Sequence, residues 1–195
     1  QRNFTFKKLM ESDDNDLILI NDLDEIPNLK NFKYQKKITI FKQKMLYFKF
    51  NLMYPNILWS GSKICKKKYF IGPQWLRNIK TKKYPWWRID ILFSKKKYNQ
   101  IQVINNGGWH FTNIKSPKEI HHKMKNFLHH YEYENSGLQT EDIERLINEK
   151  KALYNYSADQ RQQKWSNNLS LLRINLEVLP DYILNNQDKY KAWLD

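Results

Sequence analysis

The chain has 195 residues, a net charge of +14 and a single cysteine, Cys65. One cysteine excludes an internal disulfide framework and a thiolate zinc cluster, and no run of about 18 apolar residues is present to span a membrane. A chain of this length can bury a substantial core, so we expect one domain over residues 1–195.

The basic charge is concentrated in the middle of the chain. Between residues 26 and 118 the only acidic residue is Asp90, against 21 lysines and arginines. Lysine supplies 28 of the 34 basic residues, and Asn, Ile, Tyr and Phe are abundant beside it, which is typical of AT-rich coding rather than of a functional demand. The surplus therefore predicts attraction to anionic partners, an anionic membrane surface among them, and does not predict sequence-specific nucleic-acid binding.

The first predicted elements lead to an acidic segment. Residues 4–10 favour a short helix, and the polar residues 11–16 favour a turn. Leu17–Ile20 is a continuous aliphatic run bounded by polar residues, which is typical of a central strand buried on both faces. Asp22 and Asp24 follow directly, at the carboxyl end of this strand, where open α/β sheets place their ligand sites.

The centre of the chain predicts three further strands and a short helix. The strands are expected at residues 45–54, 57–65 and 101–104, and the helix at residues 74–80 after Pro73. Pro and Asn favour turns, so the first two strands should be joined at Tyr54-Pro55-Asn56. A turn at residues 105–108 should precede Trp109.

Two helices are predicted in the last third of the chain. Ser116 is an N-cap residue, Pro117 stands at the first helical position and Glu119 at the third, so a helix should run to about residue 129. A second helix should begin after Thr140 and continue to about residue 152. Strands and helices mix throughout, which predicts an α/β fold.

The segment from Asn21 to Pro27, with the sequence NDLDEIP, carries the strongest chemical signal. Asp22 and Asp24 are separated by one residue and follow a strand, so their carboxylates can converge on one point. Oxygen ligands suit Mn²⁺ or Mg²⁺. Such a cation takes its other ligands from water and substrate phosphates and stabilises charge on a leaving diphosphate. The bare Asp-x-Asp spacing also fits a helix N-cap followed by solvated acids.

A second candidate constellation is GGWHF at residues 107–111. Paired glycines let the backbone approach another group closely, and an indole and an imidazole follow directly. His110 is a candidate metal ligand, general base or hydrogen-bond partner of an acceptor, and a structural histidine is the alternative. We expect His110 to lie within reach of Asp22 and Asp24, because two strand ends at the same edge of one sheet open into one crevice.

Together these motifs resemble glycosyltransferase family 17, the family of the β-1,4-mannosyl-glycoprotein 4-β-N-acetylglucosaminyltransferase. The resemblance rests on four segments in chain order: QRN at residues 1–3, DNDLILINDLDEIP at 14–27, GGWHF at 107–111 and PDYILNNQDKYK at 180–191. It implies a GT-A type fold and an inverting enzyme that transfers N-acetylglucosamine from UDP-GlcNAc to a mannose-type or other glycan, with Mn²⁺ or Mg²⁺. It also implies that an N-terminal βα part of the nucleotide-binding half precedes this chain, which is then an N-terminally truncated catalytic domain.

The resemblance also implies roles for individual residues. Asp22 and Asp24 are the metal ligands, and Asp22 with Glu25 faces the donor. The other substrate-binding residues implied in this way are Arg2, Trp109, Lys123 and His129. The implied catalytic residues are His110 and Glu132, and the match of Glu132 is ambiguous by one position.

Two other functions stay open at this point. The Lys-rich middle with its interleaved aromatic residues fits a basic nucleic-acid-binding module, and the implied missing segment fits a non-catalytic remnant of a glycosyltransferase. Mn²⁺-dependent UDP binding, compared with salt-sensitive oligonucleotide binding, separates the first of these from the enzyme. The acceptor, the donor sugar and the cellular location stay open.

Overall fold

The computed structural model describes residues 9, 11–82, 84–94, 97, 100–127, 130–156, 164–165 and 169–195. Arg2, His129 and nearly all of the helix expected at residues 4–10 lie outside this set. The chain divides into two compact units, the first built from residues up to 44 and residues 58–110, the second from residues 45–57 and from residue 111 onwards.

The described residues form seven strands in a mixed sheet. They are β1 Leu17–Ile20, β2 Glu25–Pro27, β3 Ile38–Tyr47, β4 Leu52–Lys66, β5 Ile101–Ile104, β6 Gly108–Thr112 and β7 Leu172–Arg173. The strand order is β1-β4-β3-β6-β2, with β5 also paired to β3 and β7 to β4. The β3–β5 pair is parallel, whereas β1–β4, β2–β6 and β4–β7 are antiparallel.

The same residues form six α-helices. They are α1 Pro73–Asn78, α2 Pro117–Lys125, α3 His130–Asn135, α4 Thr140–Asn148, α5 Asp181–Leu184 and α6 Gln187–Tyr190. Short 3-10 turns lie at Lys67–Tyr69, Ile89–Ile91, Leu176–Val178 and Lys191–Trp193. The fold is mixed α/β, as expected, and none of the described helices combines the length and the apolar character needed to cross a bilayer.

Each unit has its own apolar core. In the first unit the buried core residues are Ile38, Ile40, Cys65, Leu76, Ile79 and Ile101. Burial raises the pKa of the Cys65 thiol to about 12, so this side chain stays protonated and packs as a small apolar group. In the second unit, residues of β3 and β4 pack with residues of α2, α3 and α4, among them Tyr47, Tyr54, Ile120, Tyr133 and Ile143.

The strand predictions need two corrections. β1 forms at the predicted residues, but it stands at one end of the strand order and Leu17 is 43 % exposed, so it is not a buried central strand. The turn expected at Tyr54-Pro55-Asn56 is wrong, because β4 continues through these residues and the chain turns earlier, at residues 48–51. Asn56 takes φ 61, a left-handed conformation that the strand accommodates locally without ending.

The helix predictions hold at the N-termini and fail at the C-termini. α2 begins at Pro117 with the expected capping box, in which the Glu119 carboxylate accepts the Ser116 N–H at 2.9 Å. It ends at Lys125 rather than near residue 129. α4 ends at Asn148 rather than near residue 152, because Lys150 adopts φ 55 and the chain leaves the helix there.

The paired glycines of the GGWHF segment lie where strands approach each other closely. Gly108 has φ 124, and a Cβ atom there would collide with the carbonyl oxygen of Ile26 in β2. A Cβ atom on Gly107 would lie 2.8 Å from the backbone nitrogen of Lys42 in β3. A close backbone approach is therefore present at both glycines, and the groups approached are the neighbouring strands rather than a ligand.

We expect Gly108→Ala to lower the free energy of unfolding by about 2 to 4 kcal/mol, because left-handed strain adds to the collision with Ile26. Gly137→Ala is the matched control for strain alone, since Gly137 has φ 70 but nothing within 4 Å of its Cβ position; we expect a cost of about 1 kcal/mol. Gly72 has an extended backbone and open space, so Gly72→Ala should change little. Urea unfolding followed by circular dichroism measures all three, and equal costs for Gly108→Ala and Gly137→Ala would contradict the close approach.

Candidate functional site

The acidic segment forms a tight turn between β1 and β2. The Glu25 N–H donates to the Asp22 carbonyl oxygen at 3.1 Å, which closes the turn. The Asn21 side-chain amide donates to the carbonyl oxygens of Asp22 at 2.9 Å and Glu25 at 3.0 Å. Leu23 is fully exposed in this turn, and the side chains of Asp22 and Asp24 are 39 % and 46 % exposed. We call residues 21–25 the acidic turn.

Glu25 is the buried anchor of the acidic turn. Its carboxylate accepts hydrogen bonds from Arg77 Nη1 at 2.8 Å, Trp59 Nε1 at 2.8 Å and the Asp22 N–H at 3.0 Å. Burial alone would raise the pKa of Glu25, but these three hydrogen bonds outweigh it, and the pKa lies below its usual value of 4.5. The Glu25 carboxylate is buried and accepts three hydrogen bonds, so it holds the turn in place. The resemblance implies a different role for Glu25, namely contact with the nucleotide sugar.

Arg77 joins helix α1 to the acidic turn. Its guanidinium pairs with Glu25 through Nη1 and with Asp22 through Nη2. Burial opposes the positive charge, but the hydrogen bond to Glu25 and the attraction of the three nearby carboxylates raise the pKa of Arg77. The planar fork of a guanidinium suits two acceptors at once, and a lysine would not replace it.

A buried lysine fixes the end of the helix that carries Arg77. The Lys63 ammonium on β4 donates to the carbonyl oxygens of Arg77 and of Ile79, the latter at 2.5 Å. Carbonyl groups at a helix C-terminus lack intrahelical partners, and lysine is a suitable donor to them. Burial lowers the pKa of Lys63 to about 8; the charge of Arg77 adds to this effect and that of Glu25 opposes it. Lys63 therefore positions Arg77 through the backbone of α1.

His110 lies against the acidic turn. Its Nε2 is 3.4 Å from Oδ2 of Asp24, and its ring stacks on Trp59 with centroids 4.6 Å apart and planes 9° apart. The predicted proximity of His110 to the acidic segment is confirmed. The reason differs from the one expected, because His110 is the direct partner of Glu25 in the antiparallel β2–β6 pair.

Trp59, rather than Trp109, is the indole beside His110. Side chains alternate along a strand, so Trp109 projects to the face of β6 opposite His110. Trp109 is half-buried and is the strand partner of Ile26. The indole that stacks on His110 is therefore that of Trp59 on β4, and the substrate-binding role implied for Trp109 stays a prediction.

Sequence patterns did not mark Trp59, Lys63 or Arg77. A signal for Arg77 was available, because it is one of only six arginines in a chain with 28 lysines, and arginine is the residue that best binds two carboxylates. Trp59 is one of seven tryptophans, and nothing in the sequence distinguishes it from the other six. Lys63 looks like any other lysine of the basic middle.

The other residues implied by the resemblance belong to the second unit or lie outside the described residues. Lys123 on α2 donates to Asn113 Oδ1 at 2.8 Å, and Asn113 Nδ2 donates to the Tyr47 hydroxyl at 3.1 Å. Glu132 is exposed on α3. The substrate and catalytic roles of these two residues stay predictions, as do those of Arg2 and His129.

The acidic turn offers a divalent cation two carboxylates and no complete protein cage. Within the described ranges, no group of three or more His, Cys, Asp and Glu side chains is placed to hold a metal ion. Asp22 and Asp24 are each more than a third exposed. Mg²⁺ and similar hard cations commonly bind one or two carboxylates and complete their shell with water and substrate phosphates. The two aspartates are therefore oxygen ligands of the kind that a cation bound with a diphosphate uses, although Asp22 also pairs with Arg77 and Asp24 lies against His110.

Comparison with known proteins assigns no family to the chain. No protein-family model matches it, and no curated protein or solved structure matches it. A functional assignment therefore depends on the geometry of the acidic turn and on the sequence motifs.

We expect Arg77→Met to lower the free energy of unfolding by about 3 kcal/mol at pH 7, because it leaves the charge of Glu25 buried without its main partner. The pKa of Glu25 in the folded chain is below 4.5, so the stability from its pairing is present above that pH and is lost as the pH falls through the folded pKa. The difference in the free energy of unfolding between Arg77→Met and the unaltered chain should therefore become smaller in acid. Urea unfolding at neutral pH and in acid measures it.

Arg88→Met is the matched control for this variant. Arg88 also pairs with a carboxylate, that of Asp90, but both groups lie on the surface, so the urea midpoint should not change. Arg77→Met combined with Glu25→Gln should recover part of the loss, since the buried charge is then gone. An Arg77→Met deficit equal at both pH values, or equal to that of Arg88→Met, would refute the anchoring role.

Proposed function

We propose that this chain is a glycosyltransferase domain that binds a divalent cation at Asp22 and Asp24 and uses a nucleotide-sugar donor. The observation that carries the proposal is the acidic turn: Asp22 and Asp24 are half-exposed, Arg77 pairs with Asp22 and with the buried Glu25, and His110 Nε2 lies 3.4 Å from Asp24. This arrangement supports diphosphate binding and proton transfer at one place.

The motifs support a narrower form of the proposal, namely an inverting enzyme of GT-A type, similar to family 17, that transfers N-acetylglucosamine from UDP-GlcNAc to a mannose-type or other glycan. Two of the four segments that carry the resemblance, NDLDEIP and GGWHF, are far apart along the chain. Strands β2 and β6 pair these two segments directly, with Glu25 opposite His110. The two motifs can belong to one site only if they lie side by side, as they do in this strand pair.

Each residue of the site has a distinct task in this proposal. Asp22 and Asp24 supply the carboxylate ligands of Mn²⁺ or Mg²⁺, which neutralises the charge of the leaving diphosphate when it is bound. Arg77 limits the movement of Asp22 and offsets the repulsion between the neighbouring carboxylates.

His110 is the candidate for proton transfer. Asp24 and the stacked ring of Trp59 fix the orientation of its imidazole. To act as the base, Nε2 exchanges its contact with Asp24 for the acceptor hydroxyl and takes up the proton of that hydroxyl. The hydroxyl oxygen then attacks the anomeric carbon of the donor sugar in a single displacement that expels the diphosphate. Glu132 is the other candidate base that the resemblance implies.

We expect Asp22→Asn and Asp24→Asn each to weaken Mn²⁺-dependent UDP binding by more than about tenfold, because each removes an anionic ligand of the cation. Isothermal titration calorimetry with UDP, in Mn²⁺ and in EDTA, measures the effect. Both aspartates are half-exposed, so the urea midpoint should move little in either variant.

Asp188→Asn is the matched control, since Asp188 is an exposed carboxylate on α6 of the second unit, and it should bind UDP like the unaltered chain. His110→Ala separates the two tasks of the site: it should keep the Mn²⁺-dependent affinity for UDP but lose turnover by about a hundredfold or more. Unchanged Mn²⁺-dependent affinity in both aspartate variants would remove the metal assignment and with it the proposed function.

A further inference from the structure

A surface loop of the first unit exposes a concentrated group of large apolar side chains. Within residues 84–94, which we call the apolar loop, five of them are between 67 % and 85 % exposed: Trp86, Trp87, Ile89, Leu92 and Phe93. The Trp86 and Trp87 rings lie 6.1 Å apart. Single exposed apolar residues are ordinary on protein surfaces, but so many within one short segment indicate an interaction site.

The apolar loop is a folded element. Its backbone makes successive turns, with Arg88 N–H donating to the Pro85 carbonyl at 3.2 Å and Ile91 N–H to the Arg88 carbonyl at 3.1 Å. Ile91 is buried and ties the loop to the first unit. Ile91 is buried whereas the apolar residues on either side of it are exposed, so the loop presents these exposed side chains to solvent.

The charge around the apolar loop is positive. Asp90, its one acidic residue, accepts hydrogen bonds from Arg88 at 2.8 and 2.9 Å and from Lys97 at 2.5 Å. Lys82 and Arg88 also stand over the ring of Tyr84, at 5.5 and 5.6 Å from its centroid. Arg88 and Lys97 share the single carboxylate of Asp90, and Lys82 lies nearby, so the net charge is positive. We call these three basic residues the basic rim of the apolar loop.

We propose that the apolar loop docks this chain on the surface of an anionic lipid bilayer. Trp86, Trp87 and the neighbouring Leu92 and Phe93 enter the boundary between head groups and acyl chains, where amphipathic aromatic rings are favoured. The basic rim, Lys82 included, contacts the lipid phosphates, and each lysine or arginine near such a surface adds electrostatic attraction. The inference is independent of the proposed function, because it uses no residue of the acidic turn.

Other occupants fit the apolar loop less well. Single-stranded nucleic acid stacks its bases on aromatic rings, but Ile89 and Leu92 offer no such platform and are as exposed as the rings beside them. A second copy of the chain would bring two basic rims together, and like charges oppose that association. An anionic bilayer matches the apolar centre and the basic rim at the same time.

Vesicle co-sedimentation of the full chain tests the proposal. We expect binding to phosphatidylcholine vesicles that contain phosphatidylserine, weaker binding to pure phosphatidylcholine, and partial loss of binding in high salt. Trp86→Ser combined with Trp87→Ser should weaken partitioning by at least about tenfold, because two large apolar surfaces no longer enter the lipid. Tyr131→Ser is the matched control, since Tyr131 is a 71 % exposed aromatic residue of the second unit and should bind like the unaltered chain.

Quenching of tryptophan fluorescence by brominated lipids distinguishes insertion from adsorption. We expect quenching in the unaltered chain and its loss in the double variant, with the same urea midpoint for both because the two indoles are exposed. Equal vesicle affinity in the two proteins, or no affinity of the unaltered chain for anionic vesicles, would overturn the proposal. Oligonucleotide binding without vesicle binding, or a dimer in sedimentation velocity that the double substitution disperses, would assign the loop to another occupant and overturn it equally.

Discussion

The ion pair between Arg77 and the buried Glu25 is the interaction on which the rest of the candidate site depends. An unpaired carboxylate in this position would be costly, so the acidic turn can form only where the guanidinium and the Trp59 indole meet it. Arg77 in turn is placed by helix α1, whose last carbonyl groups are held by Lys63 from β4. Asp22 pairs with this same guanidinium, so its position depends on the contacts that Arg77 makes with Glu25 and α1.

This arrangement has a consequence for metal binding. Arg77 already pairs with Asp22, so a cation bound as proposed would share that carboxylate with a guanidinium. The positive charge lowers the attraction of the turn for a bare cation, whereas a diphosphate is attracted by both the cation and Arg77. Cation and diphosphate should therefore bind cooperatively, and each should bind less tightly without the other.

The sequence was informative wherever a structural feature depends on nearby residues. The limits of β5, the capping box of α2 and the close approach at Gly108 follow from local patterns, and all three could be predicted. The expected turn at residues 54–56 was wrong because Pro and Asn favour turns locally, whereas the pairing of β4 overrides that preference. Arg77 and Trp59 could not be predicted as partners of Glu25, since they are 52 and 34 residues away and no local pattern encodes contacts at that separation. The proximity of His110 was predicted from the wrong topology, because β2 and β6 pair antiparallel and do not open side by side from a parallel sheet.

We propose that Asp22, Asp24 and His110 form a metal-dependent site for inverting glycosyl transfer, and inversion can be read from the anomeric configuration of the product. The full chain is incubated with UDP-GlcNAc, Mn²⁺ and a mannose-terminated glycan, and the anomeric proton of the transferred sugar is observed by NMR. We expect a β-linked product from the α-linked donor, and no product when EDTA removes the cation. An α-linked product, a product that forms equally well in EDTA, or a donor that stays intact would contradict it.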